Sequence, residues 1–360
     1  MISRSKLFFL VLLGIGLSGC ASGNVVTRRF FWPALPERPR IEWLKTYSSQ
    51  ADFSSGGFGD VMTDLFGEAE PLTFDKPVDI KSDGNGRVYI SDAGLNKVVV
   101  YDLVKKDVHY LAGGQASLMA NPTALTLDAN GNLYVADVDR RVILIFDKSE
   151  RLVGKIELGN KITRVGGMVI DAPRNRLICT DVRGHKLLIF SMTGDLLQTI
   201  GERGDGDGQF NFPGPVVVDK KGEIIVGDSL NARIQIFDEH GKFLRKFGQR
   251  GDSPSEFQLL KGLALDSDGD IYVTDGKGNK VSIYNQQGEY LLTFGRRFAI
   301  EPGRDVAAGF LIPQGIDIDR NDRIYIVDQI NRRFQVFQYI SDSFLAQHPI
   351  PGYPPGQAGK

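Results

Sequence analysis

Short apolar runs separated by glycine- and aspartate-rich turns recur along most of this chain, and they come in groups of four. The first run of a group alternates before its turn, as in Val216-Val217-Val218-Asp219 and Leu263-Ala264-Leu265-Asp266. A turn such as Asp128-Ala129-Asn130-Gly131 then reverses the chain, so the pattern predicts a β-hairpin. The second run is solidly apolar, as in Val88-Tyr89-Ile90 and Ile271-Tyr272-Val273. That suits a strand covered on both faces. The fourth run mixes charge with apolar residues, as in Lys242-Phe243-Leu244-Arg245-Lys246-Phe247, which fits an outer edge where charge discourages pairing with another chain.

The groups share fixed landmarks. An aspartate closes the second run at Asp92, Asp137, Asp181, Asp228, Asp275 and Asp328, at steps of 45, 44, 47, 47 and 53 residues. Nine residues after each stands an aromatic: Tyr101, Phe146, Phe190, Phe237, Tyr284 and Phe337. Fifteen residues before it, four copies carry proline, at Pro77, Pro122, Pro213 and Pro313, with Gly166 and Leu260 in the others; proline suits the first residue of a strand. A four-stranded unit cannot bury both faces alone, so six copies predict an all-β, six-bladed β-propeller of antiparallel blades. The sixth copy has no fourth strand after Phe337, whereas Ile41 to Tyr47 forms an isolated strand-like run. We expect that N-terminal segment to complete the last blade, giving a propeller over residues 41–346.

Two copies carry Asp-x-x-Asn-x-Arg intact, as Asp228-Ser229-Leu230-Asn231-Ala232-Arg233 and Asp328-Gln329-Ile330-Asn331-Arg332-Arg333. With the connector Gly204-Asp205-Gly206-Asp207-Gly208-Gln209-Phe210, this resembles the NHL-repeat family over residues 77 to about 340. The second copy departs from it, with Val142 where the basic residue belongs and Arg141 one place earlier. The resemblance implies that second-to-third turns and inter-blade connectors share one face.

The N-terminus changes the setting. Arg4 and Lys6 precede the apolar run Leu7 to Leu17, too short to span a hydrocarbon layer of roughly 30 Å as a helix, so residues 1–19 read as an export signal. Leu17-Ser18-Gly19-Cys20 resembles the bacterial lipobox, which implies lipidation at Cys20 and attachment in the cell envelope. The absence of aspartate after Cys20 resembles lipoproteins of the outer membrane. Residues 20–40 read as a tether, with Arg28 to Trp32 alternatively lying at the membrane surface. Residues 347–360, rich in proline and glycine, are expected to be disordered. The formal net charge of -1 gives no global field for nucleic acid. Cys179 is the only other cysteine, so no disulfide can form within the mature chain.

Candidate chemistry is local. Loop pairs of aspartate with a basic residue five positions on, Asp92 with Lys97, Asp181 with Lys186, Asp228 with Arg233, Asp275 with Lys280 and Asp328 with Arg333, are expected to fix the turns. Arg140, Arg183, Lys277 and Arg332 are surplus to that pairing and are candidates for partner binding. So are Arg296, Arg297 and Phe298 in the long connector 295–313. Asp266-Ser267-Asp268-Gly269-Asp270 lacks the glycine and glutamate placement of a calcium loop and reads as a hairpin turn. The four histidines, His109, His185, His240 and His348, fall in different parts of the repeat, so no three-histidine zinc site is expected. Asp79 and Asp317 lie in innermost strands. The expectation is a lipid-anchored binding or scaffolding module, monomeric and without cofactor, offering a loop face to an envelope protein or glycan. The alternative is a lyase or hydrolase assisted by a divalent cation in the channel.

Overall fold

The computed structural model describes residues 29–53, 72–115, 117–300 and 306–353. The export signal, Cys20 and the tail from residue 354 lie outside the described residues. Every group of four apolar runs folds into one antiparallel blade. Blade 4, for example, runs Pro213–Val218, Ile224–Asp228, Arg233–Phe237 and Phe243–Phe247 from axis to rim. The first strands of the six blades begin at Pro77, Pro122, Val165, Pro213, Leu260 and Pro313. Each touches the first strands of both neighbours, and the cycle closes from blade 6 onto blade 1. Blade 3 starts one residue early: Val165, not Gly166, pairs with Asp181. A β-bulge follows the start of all six first strands, which adds twist where the strands converge on the axis.

Among the described residues, six clusters form the core between blades, one between each pair of neighbours. The repeated aromatic accounts for the spacing seen in the sequence. Tyr101, Phe146, Phe190, Phe237, Tyr284 and Phe337 are all buried, each in the cluster shared with the preceding blade. Each inter-blade contact therefore has the same large wedge, worth about 1.5–3 kcal/mol by burial alone. Cys179 lies in the cluster between blades 2 and 3, where burial pushes its thiol up to about 12. That is a packing residue, not a nucleophile.

Blade 6 is completed from the N-terminus. The segment β2 (Ile41–Tyr47) pairs antiparallel with Arg333–Tyr339, Trp43 opposite Phe337 and Tyr47 opposite Phe334. The tether expected over residues 20–40 is corrected for its second half. The segment β1 (Phe30–Trp32) adds a fifth strand on β2, and the Trp32 ring lies 5.9 Å from Phe294 and 6.1 Å from Phe337. Three consecutive aromatics gain more against this blade than in a solvated linker. The tail is corrected similarly. After the helix α1 (Asp342–Gln347), capped by the Ser341 hydroxyl, Ile350 and Tyr353 are buried with Phe31 and Leu35.

Neighbouring blades also meet at their rims. His109, in the fourth strand of blade 1, bridges Asp107 (2.8 Å) and Glu150 of blade 2 (2.8 Å). The bond to Glu150 outweighs burial and, with Asp107, raises its pKa above the ordinary 6.5. A raised histidine contributes stability that is fully present below pH 6.5 and is lost as pH rises through the folded value. We therefore expect His109→Gln to abolish a gain in stability of up to about 1 kcal/mol on moving from pH 8 to pH 5.5. Urea titrations at the two pH values check this; a mutant that keeps the full pH increment contradicts it.

Candidate functional site at the axial mouth

The repeated aspartates build the face on which the site lies. Asp92 accepts the backbone amides of Asp75 (2.8 Å) and Lys76 (2.8 Å), which lead into blade 1. Asp137, Asp181, Asp228, Asp275 and Asp328 each accept amides of the corresponding connector. Connectors and second-to-third turns thus share one face, held by a carboxylate in every blade. We call it the connector face.

The expected pairing of these aspartates with a base five residues on holds only for arginine. Arg233 donates to Asp228 at 2.8 Å and Arg333 to Asp328 at 2.8 Å, and both also reach connector carbonyls, Gly206 and Gly309. Burial nevertheless pushes both carboxyls above their ordinary value. The lysines do otherwise. Lys97 lies 4.0 Å over the Tyr110 ring, Lys280 donates to the Ser253 carbonyl at 2.5 Å, and Lys186 is exposed. A single ammonium cannot serve aspartate and connector together as a guanidinium fork does, and Asp92, Asp181 and Asp275 are already satisfied by backbone amides.

The surplus bases divide. Arg140 is committed to the carbonyls of Ser117 and Leu118, and Arg332 pairs with Asp75 across the blade 6–blade 1 junction at 3.2 Å. Arg183 and Lys277 are exposed on their turns. In the long connector, Arg296–Arg297 pairs in parallel with Gly309–Phe310, and Phe298 packs on Gly309. That connector repeats the device of residues 201–210. In both, a glycine of positive φ (Gly201, +85°; Gly295, +101°) lies under a fully buried phenylalanine, and a Cβ would meet the ring at 2.5 and 2.8 Å. The excess length is an insertion within a packing motif.

At the centre of this face a cavity of about 360 Å³ opens along the axis. Its wall combines Val78, Val165, Phe212, Pro215 and Leu259 with Thr123, Arg164 and Lys261. His185 sets the Phe212 wall: its Nδ1 accepts the Phe212 amide at 3.2 Å and the rings meet edge-on at 4.7 Å. Arg164 of blade 3 and Lys261 of blade 5 line the cavity, and Lys76 of blade 1, exposed, is near enough for its charge to act on Lys261. None makes an ion pair or a side-chain hydrogen bond among the described residues. Burial, then the charges of Arg164 and Lys76, lower the pKa of Lys261. The Thr123 hydroxyl is buried without a partner. Sequence reasoning missed all four, because the three bases stand 16, 17 and 14 residues before their repeated aspartates and so share no fixed place in the repeat, and Thr123 recurs in no other blade.

Asp79 and Lys81 line the inner part of the same cavity; Lys81 donates to Asp317 at 2.8 Å, and Asp317 also accepts the Ser82 amide at 2.8 Å. Asp79 accepts the amides of Ile80 (2.9 Å) and Leu125 (2.8 Å). Burial raises Asp79 above its ordinary value; it also acts to lower Lys81, but Asp317 and Asp79 outweigh it and keep that ammonium charged. These carboxylates do not fit a divalent cation, since an internal ammonium and backbone amides occupy the oxygens such an ion would need. Asp266, in the hairpin turn of blade 5, is pushed up to about 7 by burial and accepts the Tyr272 hydroxyl at 3.0 Å.

A family model described as DUF5128, a 6-bladed beta-propeller, matches residues 216–300, most of blade 4 and all of blade 5. No curated protein matches the chain in sequence. Among solved structures, a structural genomics protein of unknown function from Bacteroides thetaiotaomicron is 16% identical with a TM-score of 0.61, covering 74% of this chain and 70% of that one. An auxiliary nutrient binding protein from the same organism is 15% identical with a TM-score of 0.57, covering 74% and 70%. A streptogramin B lyase is 12% identical with a TM-score of 0.55, covering 74% and 95%. Likeness at this identity shows fold alone: the chain is an all-β, six-bladed β-propeller, and what it does must be argued from its own residues.

Proposed function

We propose that this chain is a lipid-anchored protein of the bacterial envelope that binds a ligand at the axial mouth of its connector face, as a binding or scaffolding module and not as an enzyme. The observation that carries the reading is the cavity itself, apolar in part, open on the connector face and rimmed by bases with no internal partner. The deeper carboxylates support binding over metal-assisted lysis or hydrolysis, because Lys81 already engages Asp317 and backbone amides already engage Asp79. A nutrient binding protein and a lyase share the fold, so the fold accommodates either role. Acyl chains on Cys20 would hold the propeller close to the bilayer. Only residues 21–28 separate that cysteine from the described segment, a reach of at most about 28 Å.

The test is native mass spectrometry of the protein released in detergent from its own membrane, beside Val78→Trp, which fills the mouth. We expect an added mass on the wild type that is lost in the variant while the melting temperature is unchanged. Identical spectra for the two proteins would overturn binding at the mouth.

A further inference from the structure

On the aspartate-anchored turns, several bases of the connector face are committed to neighbours. Arg140 and Arg233 hold connector carbonyls, Arg333 holds Asp328, and Arg332 holds Asp75. Against that background the three bases at the axis stand apart. Folding leaves them without an ion pair, the Asp79 carboxylate on the cavity wall being engaged by the Ile80 and Leu125 amides, and it places them on alternate blades around a pseudo-six-fold axis, which gives them an approximately three-fold arrangement. Like charges gathered without a partner cost free energy that the fold could have avoided by pairing them or by moving them to the rim. An anion arriving from solution would recover that cost.

The walls narrow the chemistry. Arg164 presents a planar fork that suits carboxylate or phosphate oxygens in two-point contact, whereas Lys76 and Lys261 act as point charges. The Thr123 hydroxyl, buried in the same wall with no partner, is a donor waiting for an acceptor. Phe212, Pro215 and Leu259 offer apolar surface between the charged positions. A volume of about 360 Å³ holds a compact molecule or the end group of a longer one, not a folded partner.

We propose that the axial mouth is a polyanion site, taking a compact molecule with two or three carboxylate or phosphate groups around an apolar body, held by Lys76, Arg164, Lys261 and the Thr123 hydroxyl. The proposal rests on the reading of the mouth as the binding site and adds the ligand's charge to it.

The probe is benzene-1,3,5-tricarboxylate, whose three charges match the three-fold set, with benzene-1,3,5-trimethanol as its neutral counterpart and inorganic phosphate as a simple anion. Isothermal titration is run on the whole propeller. We expect the tricarboxylate to bind at least about tenfold more tightly than the triol. Its affinity should fall about three- to tenfold for each of Lys76→Gln, Arg164→Gln and Lys261→Gln, and should weaken as salt rises from 50 to 500 mM, at least about threefold. Phosphate should bind more weakly than the tricarboxylate and at the same residues. Equal binding of triol and tricarboxylate, an unchanged affinity in the triple variant, or no binding of the tricarboxylate overturns the polyanion site. The native mass comparison separates the two failures. A retained mass lost with Val78→Trp but kept in the triple variant removes the polyanion assignment and leaves the mouth as the site, whereas no dependence on Val78→Trp removes both.

Discussion

Removing residues 41–47 lowers the unfolding midpoint by more than about 10 °C. Among the described residues, strand β2 is the only partner of the outer side of Arg333–Tyr339, whose seven residues are all buried. Ile41 is fully buried, Trp43 lies opposite Phe337, and Tyr47 stacks on Phe334 at 5.1 Å. Losing three such side chains at about 1.5–3 kcal/mol each gives roughly 6 kcal/mol, before counting the ladder hydrogen bonds left open on a new edge. At about 2 °C per kcal/mol for a domain of this size or slightly smaller, the drop exceeds 10 °C. Circular dichroism melts measure it. A peptide spanning residues 29–48, added in trans, should restore part of the loss by pairing on the open edge. A midpoint within about 3 °C of the wild type would contradict closure by this strand.

Arg333→Met is the second large effect, at about 3–5 kcal/mol. The guanidinium is 1% exposed, donates to Asp328 at 2.8 Å and reaches the Gly309 carbonyl at 2.7 Å. Methionine fills much of the space, but it leaves a carboxylate that is itself fully buried without its counter-charge. Arg333→Lys should recover less than half of the loss, because lysine at the equivalent place in blades 1, 3 and 5 makes no ion pair with its aspartate. Lys186→Met, at an exposed site of the same register, should cost less than about 0.5 kcal/mol. Urea titrations with unchanged slope give the three values. A lysine variant as stable as the wild type would contradict the argument from the fork.

The fold was legible because its constraints repeat. Each aromatic from Tyr101 to Phe337 fills the same wedge against the preceding blade, so packing imposes one spacing six times, and the missing fourth strand of blade 6 pointed to Ile41–Tyr47. The repeated aspartate was legible as a position but misread as chemistry. Its main work is to accept connector amides, and backbone donors leave no trace in a sequence. The flanking segments were misread because composition reports the local chain only: Phe30 to Trp32 and Tyr353 fold by meeting one another's neighbours, across more than 300 residues of sequence.

The site was the least legible part. Lys76, Arg164 and Lys261 stand 16, 17 and 14 residues before the repeated aspartates of alternate blades, so no period marks them. They become a site only when the ring closes and brings three distant starts to one axis. The candidates chosen from sequence, Arg140 and Arg332 among them, are bases on the connector face. The structure uses those two to hold a connector and a blade junction.

The most direct measurement of the central claim is a crystal structure of the protein purified from its own membrane without exchange of bound ligand. The account predicts density on the propeller axis between Arg164 and Lys261, within hydrogen-bond reach of the Thr123 hydroxyl. Ligand density on the rim or on the opposite face, with Arg164, Lys261 and Thr123 contacted by none of it, would contradict the account.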